Sequence, residues 1–305
     1  MVKSGSNLEK KFNSGGFAVT AELGPPRNCD ISVVEEKAKI LKGYADAVNI
    51  TDCQTAIVRM SSVSSAVTLM KQGLEPVVQM TCRDRNRIAI QSEILGAAGL
   101  GVRNMLCLTG DHQKFGDHPE AKGVWDLDSI QLIATVKKMR DEHLLQSGYD
   151  MEKPVPMFIG AAENPFADPF ECRAARLEKK VEAGVDFIQT QIVYNIEKFE
   201  KWMEEVRKRG LDERVYITVG VTPLKSIGMA KYMKSNVPGL DVPDSYIGRL
   251  SKAKEDGKDL KQEGIQIAID IIDQVKKIPG VKGIHIMAIE WEEAVPEIVK
   301  GAGLK

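Results

Sequence analysis

Short apolar runs, each closed by glycine, proline or a polar turn, recur along this chain. They alternate with longer segments whose apolar residues repeat every three to four positions. The first pattern predicts strands buried on both faces, the second amphipathic helices laid against them. FAVTAEL (17–23), ADAVNIT (45–51), PVVQMTC (76–82) and RNMLCLT (103–109) read as the first four strands. VPMFIGAA (155–162), DFIQTQIV (186–193), RVYITVGV (214–221) and GIHIMAI (283–289) read as the next four. Helical spacing follows over 31–44, 61–73, 86–101, 129–143, 169–184, 196–209, 224–234, 264–277 and 291–301. Before the last of these strands lies an excursion, 235–263, rich in Pro, Gly, Asp and Lys, with a short helix expected around 246–254.

Eight strand–helix alternations predict an α/β fold: a single (β/α)8 TIM barrel with an inserted segment before the last strand. An open doubly wound sheet would call for a GxGxxG fingerprint after the first strand, and none is there. Residues 1–16 are polar and Gly/Ser-rich and are expected as a flexible entry with at most one helical turn; 17–305 form the barrel domain.

Composition narrows the partners. The chain has 305 residues, and 42 Lys and Arg against 43 Asp and Glu leave a net charge of -1, so no global field favours nucleic acid. Cys29, Cys53, Cys82, Cys107 and Cys172 are scattered and odd in number, the usage of a reducing, cytoplasmic setting. Four histidines without ligand spacing argue against a metal site. No segment approaches the apolar length of a membrane span, and the first sixteen residues lack the apolar core of a signal peptide.

In such a barrel reactive groups gather at the C-terminal strand ends. Those ends carry Glu22, then Thr51, Asp52 and Gln54, then Gln79, Thr81, Arg83 and Asp84. The later ones carry Thr109 and Asp111, Glu163 and Asn164, Gln189 and Gln191, Thr218 and Thr222, and His285 and Glu290. A glutamate inside an apolar strand is costly unless paired or protonated, so Glu22 is either a partner of a buried cation or an acid with a raised pKa. Asp111 is either the cap of a turn or a carboxylate delivered to the rim. Gln189 and Gln191 alternate around Thr190 and share one face, suited to a heterocycle that both donates and accepts hydrogen bonds or, for Gln189, to simple interior filling. The run RDRNR (83–87) is either a wet charged loop or an anion clamp.

The ordered set TAELGPPR, VNITD, QMTCRDRN, LCLTGDH, IGAAENP and KKVEAGVDFIQTQIVYN resembles the methylenetetrahydrofolate reductase family, in register from Phe17 to Leu304. The resemblance implies a flavin-containing (β/α)8 barrel that reduces 5,10-methylenetetrahydrofolate to 5-methyltetrahydrofolate. It assigns Glu22 as general acid, Asp111 as the carboxylate between flavin and pterin, and Gln191 as a pterin-binding residue. Thr51, Gln79, Thr109, Gly110, Asp111 and Lys180 fall at flavin-binding positions.

Two of these depart from the family pattern. Gln79 stands where the family often has histidine, and Thr109 where it often has an arginine for the flavin pyrophosphate. The cofactor expected is therefore FMN or FAD, with Arg173 or Arg176 as substitutes for the missing cation. Ile227 lies near a position where nicotinamide-using members carry an aromatic, so the electron donor is NAD(P)H or a partner redox subunit, in an oligomer or hetero-complex. A flavin-free pterin-dependent transferase and a folate-binding partner subunit are the competing readings.

Overall fold

A computed structural model describes residues 2–305. Eight parallel strands close into a barrel in sequential order: β1 (Ala18–Leu23), β2 (Ala47–Ile50), β3 (Pro76–Thr81), β4 (Asn104–Leu108), β5 (Phe158–Glu163), β6 (Phe187–Ile192), β7 (Tyr216–Val221) and β8 (Val281–Ile286). Helices α1 (Asn7–Asn13), α2 (Ser32–Leu41), α3 (Ser62–Lys71), α4 (Arg87–Gly99), α5 (Ser129–Asp141), α6 (Arg173–Ala183), α7 (Ile196–Lys208), α8 (Ile227–Asn236), α9 (Asp244–Glu255), α10 (Leu260–Val275) and α11 (Ala294–Gly301) complete the chain. The expected insertion before the last strand is present, as α9 between α8 and α10. Strand eight stops three residues short of its expected end, because Ile289 and Glu290 turn through left-handed backbone at φ 48° and 55°.

Side-chain alternation divides each strand between two environments. Val19, Ala21 and Leu23 of β1 pack outward into the main core with the helices, as do Met105 and Cys107 of β4. Ala18, Ala47, Val77, Leu106, Phe158 and Phe187 form a second cluster inside the barrel. Gly160 makes room there, since a Cβ on it would lie 2.3 Å from the Phe187 ring. Going up the same inward rows the residues turn polar: Thr20 and Glu22, Asn49, Gln79, Gln189, Thr218 and His285, all buried. The barrel is thus apolar at its N-terminal end and polar at the other.

The N-terminal segment differs from the frayed entry expected for residues 1–16; Met1 lies outside the described residues. Ser6 caps α1 by accepting from Glu9 N at 3.0 Å, and Glu75 accepts from Asn7 N and Leu8 N at 2.6 and 2.9 Å. Leu8 and Phe12, four apart on one face, are buried against the inner cluster. The Phe12 ring stacks on Tyr216 with centroids 4.6 Å apart and closes the bottom of the barrel. Two apolar residues in a polar stretch are a weak periodic signal; the helix is stable because the barrel mouth supplies its partner surface.

Candidate active site

A cavity of about 420 Å³ opens at the C-terminal ends of the strands. Its lining includes Glu22, Gln79, Thr109, Gly110, Asp111, Lys180 and Gln191, seven residues expected at the site, from the ends of four strands and one helix. Thr51 does not line it. That residue is buried, and its Oγ1 has no hydrogen-bond partner among the described residues.

Glu22 points into the cavity from the end of β1 and is 9% exposed. Burial, and after it the negative charge of Glu292, raises its pKa to about 7; the Gln54 side chain, Lys37 and Arg59 pull the other way. Sequence neighbours Ala21, Leu23 and Pro25 offer Glu22 no charge, yet charged groups reach it from α2, from the loop after β2 and from the segment after β8. Lys37, Arg59 and Glu292 carry no local signal of this role, because each is one ordinary charge on a helix or loop. His285, deeper inside, lies with Nδ1 2.9 Å from Thr20 Oγ1, and burial pushes its imidazole down to about 3, leaving it neutral.

Asp111 sits exposed on the lip. Its Oδ2 accepts from Thr55 N at 3.1 Å and its carbonyl from Arg83 Nη1 at 3.2 Å. Before it, Gly110 has φ 95°, and a Cβ there would crowd Arg83 Cβ at 2.9 Å, so glycine is required for the turn that delivers the carboxylate. The RDRNR run is mixed: Asp84, Asn86 and Arg87 are exposed, with Arg87 pairing with Asp126 at 2.8 Å, while Arg83 and Arg85 are held by carboxylates. Arg83, 3% exposed, is gripped by Asp84 at 2.8 and 2.7 Å and ties Cys53 O to the Asp111 turn; Arg85 makes a two-pronged pair with Asp52 at 2.7 and 3.1 Å. Both guanidinia organise the rim.

Gln189 and Gln191 share a face as expected, but not a task. Gln189 exchanges hydrogen bonds with Asn49 across the barrel, its Nε2 donating at 3.1 Å, so its amide is spent inside the barrel although the residue borders the cavity. Gln191 is half-buried in the cavity wall, its Oε1 accepting from Ile192 N at 2.9 Å, which leaves the amide nitrogen as donor. Pairing of β6 with β7 is irregular between Gln189 and Ile192, a departure of the kind that re-aims side chains beside a site.

The opposite wall is cationic. Arg173, Arg176 and Lys180 lie on successive turns of α6 and all line the cavity. Lys180 is 4% exposed, not part of a solvated face, and its Nζ donates to Ala162 O and to Glu163 Oε2 at 2.7 Å. Burial lowers its pKa, against the pull of Glu163, and Arg176 and Arg173 add to the lowering. Thr109 adds no charge; its Oγ1 accepts from Ser129 N at the start of α5, at 3.2 Å.

These residues fit a flavin. Leu106, Leu108, Ala162 and Met287 give apolar wall for a flat ring, Gln79, Thr81 and Gln191 give edge partners, and the α6 cations suit a phosphate. Among the described residues no group of His, Cys, Asp and Glu could hold a metal ion, and no helix is long and apolar enough to cross a membrane.

Comparison with known proteins bears on what such a barrel is for. The family model for methylenetetrahydrofolate reductase matches residues 7–303.

The chain belongs to the methylenetetrahydrofolate reductase family.

A fission-yeast relative, methylenetetrahydrofolate reductase 2 of Schizosaccharomyces pombe, is 29% identical over 74% of this chain; the match spans 35% of that protein's length. The 5,10-methylenetetrahydrofolate reductase of Pectobacterium carotovorum is 22% identical over 95% of this chain and 92% of its own. Among solved structures, an uncharacterized Clostridium thermocellum protein, described as binding two copies of 5-methyl-5,6,7,8-tetrahydrofolic acid, covers 97% of the chain with a TM-score of 0.65 at 15% identity. That likeness concerns the barrel fold. The chain spans about a third of the fission-yeast reductases it matches and nearly all of the bacterial one.

Proposed function

We propose that this protein reduces 5,10-methylenetetrahydrofolate to 5-methyltetrahydrofolate with the help of a bound flavin, and that Glu22 is the general acid. Its main support is a carboxyl with a raised pKa, buried in the cavity wall of a barrel from this family. The product keeps its methyl group on N5, so the bond that breaks is the one from the methylene carbon to N10. Glu22 donates a proton to that departing nitrogen, which opens the bridge to an N5 iminium cation ready to accept hydride. Flavin, when bound, supplies the hydride. Gln191 holds the pterin through its free amide, and Asp111 takes the lip between pterin and flavin.

Gln79, Thr109 and Gly110 belong to the flavin side of the cavity, and Lys180, with Arg173 and Arg176, to its phosphate. Thr51, outside the lining, supports the same wall from behind. With Thr109 in place of a cation, the flavin is held through its ring and first phosphate, so FMN and FAD bind within about thirtyfold of one another, or ~2 kcal/mol. The donor is NAD(P)H or a partner redox subunit, and a cytoplasmic setting belongs to the same reading.

The test is stopped-flow oxidation of the pre-reduced, flavin-loaded protein by methylenetetrahydrofolate. Glu22→Gln is expected to fold, bind flavin and accept electrons, while this half-reaction slows by about 10²–10⁴-fold. Reoxidation at the wild-type rate removes Glu22 as the acid. A purified protein that is colourless and takes up no added flavin removes the reductase reading itself.

A further inference from the structure

Strand β1 runs out through Gly24 and Pro25, and two cations grip that exit. Lys37 Nζ, from α2, donates to Gly24 O at 3.1 Å; Arg59 Nη1, from the loop after β2, donates to Pro25 O at 3.0 Å. Each also holds a carboxylate from the segment after β8, Lys37 pairing with Glu292 at 2.6 Å and Arg59 with Glu290 at 3.2 Å. The two pairs are unlike. Glu290 is 70% exposed at its side chain, whereas Glu292 is buried at 7%. Glu292 reaches this place through the left-handed residues Ile289 and Glu290, a conformation that strains a β-branched isoleucine. Lys225 ties the turn down by donating to Ile289 O, and the ammonium groups of Lys225 and Lys261 lie over the Trp291 ring at 5.9 and 5.7 Å from its centroid. A strained and anchored turn thus brings one buried carboxylate to the exit of β1, where Lys37 joins it to Gly24 O, two residues beyond Glu22.

We propose that Glu292, anchored by Lys37, is a positioning residue that keeps the proton on Glu22 between turnovers. A fixed negative charge at this spot makes a second one costly, so Glu22 reloads its proton before the next folate arrives. This rests on the reading of Glu22 as the acid. The groups that bear on Glu22 are Lys37 from α2, Gln54 and Arg59 from the loop after β2, and Glu292 after β8; His285 of β8 is neutral. Of these, Glu292 alone favours the protonated form, and its effect exceeds that of either cation.

The test titrates Glu22 itself. Protein carrying ¹³C-carboxyl glutamate is followed by NMR against pH, with Glu22→Gln assigning the signal by its loss. In wild type the Glu22 signal titrates near pH 7; in Glu292→Gln its midpoint falls by a unit or more, a tenfold loss of proton affinity. Glu292→Asp, which keeps the charge, stays close to wild type. If Lys37 left unpaired prevents folding, the double variant Lys37→Gln/Glu292→Gln replaces the ion pair with two amides, and its midpoint falls as well. A midpoint unmoved in Glu292→Gln overturns the proposal while the acid role of Glu22 stands. A Glu22→Gln protein that oxidises at the wild-type rate overturns both.

Discussion

Asp186 and Glu22 are buried carboxylates at opposite mouths of one barrel, and they live under opposite rules. Asp186, at the entry to β6, accepts from Arg140 Nη1 at 2.6 Å and from Ile159 N at 2.7 Å, and Lys3 closes over it. Around it most polar groups of the N-terminal end have partners, Asn104 Oδ1 excepted among the described residues: Glu75 caps α1, Glu9 accepts from the backbone of Lys3, Ser4 and Gly5, and the Phe12 ring covers the inner aromatics. At the C-terminal end Glu22 is opposed by its surroundings, Lys180 is destabilised by burial, and the Thr51 and Thr222 hydroxyls lack partners among the described residues. A barrel end whose polar groups satisfy one another is a lid. An end whose polar groups are left short of partners is prepared for a ligand.

The largest effect that would break this comparison lies at the closed end. Asp186→Ala takes one of two carboxylates from the buried Arg140 guanidinium, Asp141 being the other, and the acceptor from Ile159 N, and should cost about 3–5 kcal/mol in urea unfolding, with the folate half-reaction per folded molecule unchanged. A cost below about 1 kcal/mol would make the two ends alike.

At the open end the sign reverses. The folded-state pKa of Glu22, raised to about 7 from 4.5, means that the fold favours the protonated form. Stability from this group is fully present below the unfolded pKa and is lost as pH rises through the folded one. Wild type should therefore lose up to about 3 kcal/mol relative to Glu22→Gln between about pH 5 and pH 8. Unfolding free energies of the two proteins at both pH values check it; a constant difference would return Glu22 to a paired structural role.

The smallest effect sharpens the picture at the lip. Asp111→Asn removes a negative charge from the cavity edge, so added electron density on a bound flavin becomes less costly. Its reduction potential should rise by tens of millivolts, where about 30 mV corresponds to 1.4 kcal/mol for a two-electron couple. An unchanged potential measured by dye equilibration would leave Asp111 as the acceptor for Thr55 N alone.

Much of this molecule is legible without coordinates. A strand buried on both faces is expected to be apolar, so a polar residue within or just after one, as in β1, β4 and β6, is conspicuous by chemistry alone. That is why Glu22, Asp111 and Gln191 can be picked out and do meet in one cavity. Gln189 looks equally suited to a ligand and is instead occupied by Asn49, a partner 140 residues away. RDRNR looks wet and is so at Asp84, Asn86 and Arg87, whereas Arg83 and Arg85 are tied into the rim.

The order of strands, the closed barrel and the rim that bears the chemistry follow from the local pattern, because periodic burial repeats with every strand and helix. The sequence alone thus determined at which end of the barrel a cavity would lie and named many of the residues that line it. Only the tertiary structure decided the electrostatics of that site: that Lys37, Arg59 and Glu292 converge on Glu22, that Lys180 is buried, and that a polar N-terminal stretch becomes the plug of the barrel. Coulomb and desolvation energies depend on distance through space and on the surrounding medium, and neither is written in the spacing of residues along a chain.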